Sequence, residues 1–320
     1  MTPGLRPKSP PAQAHPRIIR YGELVPCRDA FIDTRSPGSD AKENFTLIGP
    51  GVSENPAQHV HIAEPHGFNI GGARQPAGCL NSQHSHNTAE VFYVHTGRWA
   101  FTTGEHGTDG RVELGPGDII SIPTGVFRGF ENIGDEVGYL FAVLGGDDPG
   151  RVLWAPEVFA MAEDYGLVLL DNGNLVDTGA GEALPDGARP MPVTSRAQVA
   201  ALKTLGDADL RACCVTAGQD VPEEAGKGWV RRALIGPSAP LDWTHGFTVD
   251  VTDAEPDAFV LQETSDRPDV LFVQQGSAEI RVDGELWPLG RGDTATVPTG
   301  ARRTITSGPD GLTLLRVQGI

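Results

Sequence analysis

The sequence predicts an all-β protein built as two jelly-roll β-barrels joined by a short helical linker. Composition is the first ground for this. The 320 residues include 41 Gly and 26 Pro, and short apolar runs broken by turn residues recur throughout, as expected of many short strands joined by tight turns. An internal repeat is the second. The first half carries Leu47-Ile48-Gly49-Pro50, His66-Gly67-Phe68, Gly97 and Pro123-Thr124-Gly125; the second carries Leu234-Ile235-Gly236-Pro237, His245-Gly246-Phe247, Gly276 and Pro298-Thr299-Gly300. The interval from the His-Gly-Phe glycine to the next landmark glycine is identical in the two copies, Gly67 to Gly97 and Gly246 to Gly276. Order, residue type and spacing thus recur together, which marks a duplicated unit.

Four segments follow in order. Residues 1–44 form an N-terminal arm and lead-in; the opening MTPGLRPKSPPAQAHPR is polar and Pro-rich, lacks the apolar run of a signal peptide, and is expected to be flexible. Residues 45–150 form the first barrel, with period-2 strands at Val91-Phe92-Tyr93-Val94 and Ile119-Ile120-Ser121-Ile122. The strand before Gly97 is expected to form a hairpin with 98–103, and 104–110 a loop before the next strand, in the manner of a jelly roll. Residues 151–207 form the linker: Pro156 opens a run of helix formers to Ala162, Ser195 is an N-cap for a helix over 195–205, and the Gly- and Pro-rich stretch 177–189 joins them. Residues 208–320 form the second barrel, with strands at Leu271-Phe272-Val273 and Thr294-Ala295-Thr296-Val297.

Charge narrows the range of partners. With 25 basic against 42 acidic residues the net charge is -17, a field that repels phosphate backbones and anionic lipid heads, so nucleic acid and membrane surfaces are not expected partners. Cys27, Cys79, Cys213 and Cys214 have no CxxC spacing, which points to a reducing compartment and a cytoplasmic protein rather than a secreted disulfide framework.

The chemistry is concentrated in the first copy. It contains Gly78-x5-His84-x-His86-x3-Glu90-x6-Gly97 and then Gly117-x5-Pro123-x-Gly125-x2-Arg128-x3-Asn132. Residues 84, 86 and 90 share parity, so on an extended segment two imidazoles and a carboxylate leave the same face. Such a donor set suits a divalent transition metal, Fe(II), Mn(II), Ni(II), Cu(II) or Zn(II), and affinity order alone does not choose among them.

Both motifs resemble the two signatures of the cupin superfamily, and the duplication makes the chain similar to a bicupin. In that family the first motif supplies two His and one Glu to a metal and the second supplies a third His. Position 128 is instead Arg, which does not ligate metal. Three arrangements are open. A metal rests on His84, His86 and Glu90 as a facial set and Arg128 orients an anionic substrate group; Arg128 pairs with Glu90 and its charge replaces the metal's; or His59, His61, His66 or His95 completes the ligand set. His66 has a counterpart in His245 and reads as architectural, and His95 differs in strand parity from Glu90. His59 and His61 lie in an insertion, since the interval from Pro50 to His66 is twice that from Pro237 to His245.

Aligning Gly276 with Gly97 puts Glu263, Ser265 and Asp269 at the positions of His84, His86 and Glu90, and aligning Pro298 with Pro123 puts Arg303 at Arg128. A shared Arg without imidazoles points to a structural ion pair in both halves, Arg128 with Glu90 and Arg303 with Asp269. The resemblance implies a mononuclear metal-dependent oxygenase of the quercetinase or gentisate type, with Glu90 and Arg128 in catalytic roles, acting on a small aromatic or anionic molecule as a homodimer. A metal-assisted isomerase or lyase, and a non-catalytic small-molecule-binding bicupin, are the alternative readings.

Overall fold

A computed structural model describes residues 15–320, so the part of the expected arm before His15 lies outside the described residues. The chain is almost entirely β. In the first half two sheets carry the barrel, antiparallel throughout except where Glu43–Ile48 pairs in parallel with Val60–Ile62. One has five strands in the order Leu153–Trp154, Leu80–Ser85, Arg128–Asn132, Trp99–Thr103, Gly110–Leu114. The other has seven, in the order Cys214–Val215, Ile119–Ile122, Glu90–Thr96, Gly138–Gly145, Phe68–Gln75, Glu43–Ile48, Val60–Ile62. The second half forms a nine-stranded sheet dominated by the long strands Asp269–Val282 and Arg302–Gly319.

The hairpin expected across Gly97 does not form. Glu90–Thr96 pairs within the seven-stranded sheet, whereas Trp99–Thr103 pairs with Arg128–Asn132 and Gly110–Leu114 in the five-stranded one. Gly97 is therefore a corner at which the chain changes sheets. It has φ +86°, and a Cβ there would sit 2.7 Å from the Gly138 Cα, so both conformation and space require glycine. The real hairpin comes next, joining Trp99–Thr103 to Gly110–Leu114 through the 104–110 loop.

The halves are clasped reciprocally. The lead-in strand Arg17–Ile19, which begins at the last residue of the arm expected to be flexible, pairs with Thr294–Thr296 of the second half, and Cys214–Val215, the lead-in of the second half, pairs with Ile119–Ile122 of the first. Ser121 and Thr296 are equivalent in the repeat, and each accepts or donates a hydrogen bond at the Nε2 of the other copy's landmark histidine: His66 to Thr296 at 2.9 Å and His245 to Ser121 at 2.6 Å. Between them one apolar core is shared by both halves, including Phe68, Ile70, Phe141, Phe247, Val270 and Phe272, with Phe141 stacked on Phe272 at 4.5 Å.

The linker holds three helices rather than two. Pro156–Asp164 starts with Pro in its first turn, and Arg196–Ala201 is capped by Ser195 in a capping box with Gln198, shorter than the expected run because the backbone is extended at Leu202. Asp207–Ala212 is a further helix across the expected boundary, and the strands Leu167–Leu169 and Leu175–Asp177 form a small hairpin. No helix among the described residues is long and apolar enough to cross a membrane.

Candidate metal centre

His84, His86 and Glu90 come together from two sheets. His84 belongs to Leu80–Ser85, His86 follows that strand, and Glu90 opens Glu90–Thr96 in the facing sheet, so the shared parity of 84, 86 and 90 on one extended segment is replaced by convergence across a sheet change. All three are buried, and one ligand atom from each lies within 4.8 Å of the others. The imidazole rings stand nearly perpendicular with centroids 5.1 Å apart, and His86 Nε2 is 3.5 Å from Glu90 Oε1.

The free atoms are the right ones for a metal. His84 Nδ1 donates to the Ser82 carbonyl at 2.7 Å, which fixes its tautomer and leaves Nε2 as a lone-pair donor. His86 Nδ1 is buried with no hydrogen-bond partner, an uncompensated polar atom. Burial, then the Arg128 charge, then His86 push the His84 imidazole down to about 3 against the opposing pull of Glu90 and Ser82; burial and Arg128 likewise hold His86 well below the ordinary histidine range. Both rings are neutral at physiological pH, the form that ligates. Two imidazole nitrogens and a carboxylate oxygen thus fit a divalent transition ion.

Arg128 opens Arg128–Asn132 directly opposite His84 and is fully buried. Its Nε and Nη2 donate to Glu90 Oε2 at 2.9 and 2.6 Å and its Nη1 to the Val126 carbonyl at 3.2 Å. Of the arrangements open for Arg128, the pairing with Glu90 is the one present: its donors are aimed at that carboxylate, and among the described residues that line the cavity Arg128 does not appear. Glu90 keeps Oε1 for a metal.

None of the other histidines completes the set. His95 Nδ1 bonds the Gln274 side chain and its ring packs against Tyr21, Tyr139 and Phe272, on the side that meets the second half. His66 is engaged with Thr296. His61 bonds the Thr46 carbonyl and the Val25 N–H, and His59 stacks edge-on against it.

His84, His86 and Glu90 line a cavity whose empty space, open solvent included, is about 700 Å³. Its walls include Phe92 and Phe130, strand aromatics visible in the sequence, and also Phe31, Val152 and Trp154, which no motif flags. Trp154 pairs with His84 across the sheet, its ring lies 5.3 Å from the His84 ring, and its Nε1 donates to Glu54 Oε1 at 2.6 Å. Glu54 Oε2 accepts from the Ile32 N–H at 2.7 Å, so this buried carboxylate joins the lead-in, the segment between Pro50 and His66 and the wall of the site. The segment between Pro50 and His66 that holds the insertion lines the cavity through Gly51, Val52, Ser53 and Gln58 rather than through His59 and His61. Cys79 is buried outside the wall.

The second half has the ion pair without the ligands. Arg303 grips both oxygens of Asp269 and also reaches Glu263, and Arg316 bonds the same two carboxylates at 3.1 and 2.7 Å. Ser265 bonds the Arg267 backbone instead of this network.

Residues 73–144 match the family model described as Cupin domain. No curated protein matches the sequence. Among solved structures, a Lactobacillus farciminis oxalate decarboxylase formate complex is similar at TM-score 0.60 and 13% identity, covering 94% of this chain and 85% of that one. A Bacillus subtilis oxalate decarboxylase structure at pH 4.6 is similar at TM-score 0.58 and 14% identity, covering 95% and 76%. Residues 73–144 thus carry a match to the Cupin domain, and the duplicated β architecture of the chain has the fold of these neighbours along nearly its whole length.

Proposed function

We propose that this chain is a bicupin and a mononuclear metal-dependent enzyme of the oxygenase kind, with its ion on His84, His86 and Glu90 and a small, largely apolar aromatic substrate in the cavity. The observation that carries the reading is the meeting of three ligand atoms within 4.8 Å on the wall of that cavity. Iron(II) is the preferred ion for a set of two His and one carboxylate with open positions; manganese, nickel, copper and zinc suit the same donors. A divalent ion there supplies Lewis-acid polarisation of a bound oxygen.

The protein's own groups do the rest. Ser82 fixes the His84 tautomer, and Arg128 anchors one oxygen of Glu90 so that the other faces the ligand set. Arg128 is accordingly a positioning residue. The aromatic and aliphatic walls keep water from the reacting centre. The similar solved structures are named oxalate decarboxylases, and oxalate is a small dianion. Among the described residues the cavity wall contains no Lys or Arg, so a larger apolar molecule with one chelating end suits it better.

A metal-free ligand-binding reading has one observation in its favour: the Arg–carboxylate pair recurs as Arg303–Asp269 where no imidazole remains. Metal analysis of protein purified without chelator separates the two. Near-stoichiometric metal in the wild type that is lost in His84→Ala/His86→Ala supports the enzyme, and oxygen uptake in the presence of aromatic candidates then tests the reaction. A folded, metal-free wild type that takes up no added Fe(II) or Mn(II) rejects it.

A further inference from the structure

The cavity has a polar end that the metal reading leaves unused. Asn44 pairs with Ala73, Ala73 with Leu140 and Leu140 with Val94; in the next inward row Thr46 pairs with Gly71, Gly71 with Ala142 and Ala142 with Phe92. Directly paired residues share a face of a sheet, so Asn44 and Thr46 emerge on the face of Glu90 and Phe92. They do so three strands away, ~14 Å measured along the sheet. Gly71, Ala73 and Ala142 between them are small, and it is their lack of bulk that opens the floor.

Polar groups at this end are satisfied with one exception. Thr46 donates to Gln58, Gln58 Nε2 to the Pro50 carbonyl, and Ser53 to the Ala30 carbonyl. Asn44 Nδ2 is shielded from solvent and has no partner. An amide donor left unmade in a buried setting is costly, and an acceptor on a bound molecule removes that cost.

We infer that Asn44 Nδ2 receives a hydrogen-bond acceptor on the ligand, at the end remote from His84, His86 and Glu90. The ligand class is then an elongated aromatic molecule with chelating oxygens at one end and a neutral acceptor such as a ketone at the other. Neutrality follows from the wall: among the described residues no Lys or Arg lines it, and the nearby Cys27 thiol is engaged with the Asp29 carboxylate, which disfavours a second anion. The inference rests on the metal-centre reading above.

Binding of 4-ethylcatechol and 3,4-dihydroxyacetophenone to Zn(II)-loaded protein, read by tryptophan fluorescence, tests it. The probes have nearly the same shape and differ in one carbonyl. Because each variant is judged by its own ratio of affinities, differences in acidity between the probes or in active fraction between preparations cancel. The wild-type preference for the ketone is expected to fall by about 10-fold in Asn44→Leu and in Asn44→Ala, the loss of one well-placed hydrogen bond. An unchanged ratio in both variants overturns the role of Asn44 and leaves the metal reading standing. Failure of either probe to bind wild type, or binding that survives His84→Ala/His86→Ala, overturns the metal reading and this inference with it.

Discussion

Arg128 donates twice to one oxygen of Glu90, Oε2, while the other, Oε1, lies 3.5 Å from His86 Nε2. One carboxylate thus faces a permanent cation on one side and the ligand set on the other. A buried pair of this kind is costly to break from one side, since the survivor is an unpaired charge.

Arg128→Met is expected to destabilise the fold by about 3–5 kcal/mol, and a second substitution, Glu90→Leu, to recover most of it by removing the stranded charge. Urea unfolding of both single variants and the double variant measures the coupling; additive losses exclude it.

Arg128→His puts an imidazole where the family's second motif has one. Affinity for Co(II), followed by its visible absorption, is expected to rise at least ~10-fold with a fourth ligand in place. An unchanged affinity means that position 128 does not reach the ion.

Burial raises the Glu54 carboxyl to about 8 from an ordinary 4.5, against the hydrogen bonds from Trp154 and Ile32. The folded chain therefore holds more protons than the unfolded chain between those two values, and this group's contribution to stability is complete below pH 4.5 and lost as pH rises through 8. Glu54→Gln, which has no charge to bury, is expected to gain Tm relative to wild type as pH rises across that window and to match the wild-type slope outside it. Parallel Tm curves across the window would remove the linkage.

Neighbouring glycines are expected to respond in opposite ways. At Gly71 a Cβ meets only the Phe45 carbonyl at 3.3 Å and points into the cavity, so Gly71→Val should keep metal binding and lower affinity for aromatic probes by about 10-fold through lost space. At Gly72 a Cβ overlaps the Tyr139 hydroxyl in the core between the halves, so Gly72→Ala should cost about 1–3 kcal/mol of stability. Metal content, probe titration and thermal unfolding on the two variants separate the roles.

His66→Ala and His245→Ala each cut one hydrogen bond between the halves, to Thr296 and Ser121. Each is expected to cost about 1–3 kcal/mol, because the partner hydroxyl remains buried. Chemical denaturation reads the loss; a neutral result at both sites would show that the shared apolar core alone holds the halves together.

The duplication was readable because its landmarks are local. Gly97 and Gly276 have positive φ, and the His-Gly-Phe triplets are centred on Gly67 and Gly246 with positive φ, so residue type alone marks each turn. Where a strand went after such a turn was not readable. The 98–103 segment has the alternation of a hairpin partner, yet the corner at Gly97 sends it to the other sheet. Likewise the lead-in strands pair with the opposite half; Ile18 meets Ala295 from the far end of the chain, a contact that no local pattern encodes.

At the site the same division holds. By itself the sequence determined the donor types and their spacing, His84, His86 and Glu90, and the presence of an arginine at 128 and again at 303, since ligand chemistry is a property of side chains. Only the tertiary structure decided that Arg128 faces Glu90 instead of the cavity, that Trp154, Phe31 and Asn44 complete the wall, and that His95 and His66 are committed to the seam between the halves. The physical reason is that a side chain's direction is set by the strand pairing around it, and that pairing is fixed by contacts remote in sequence.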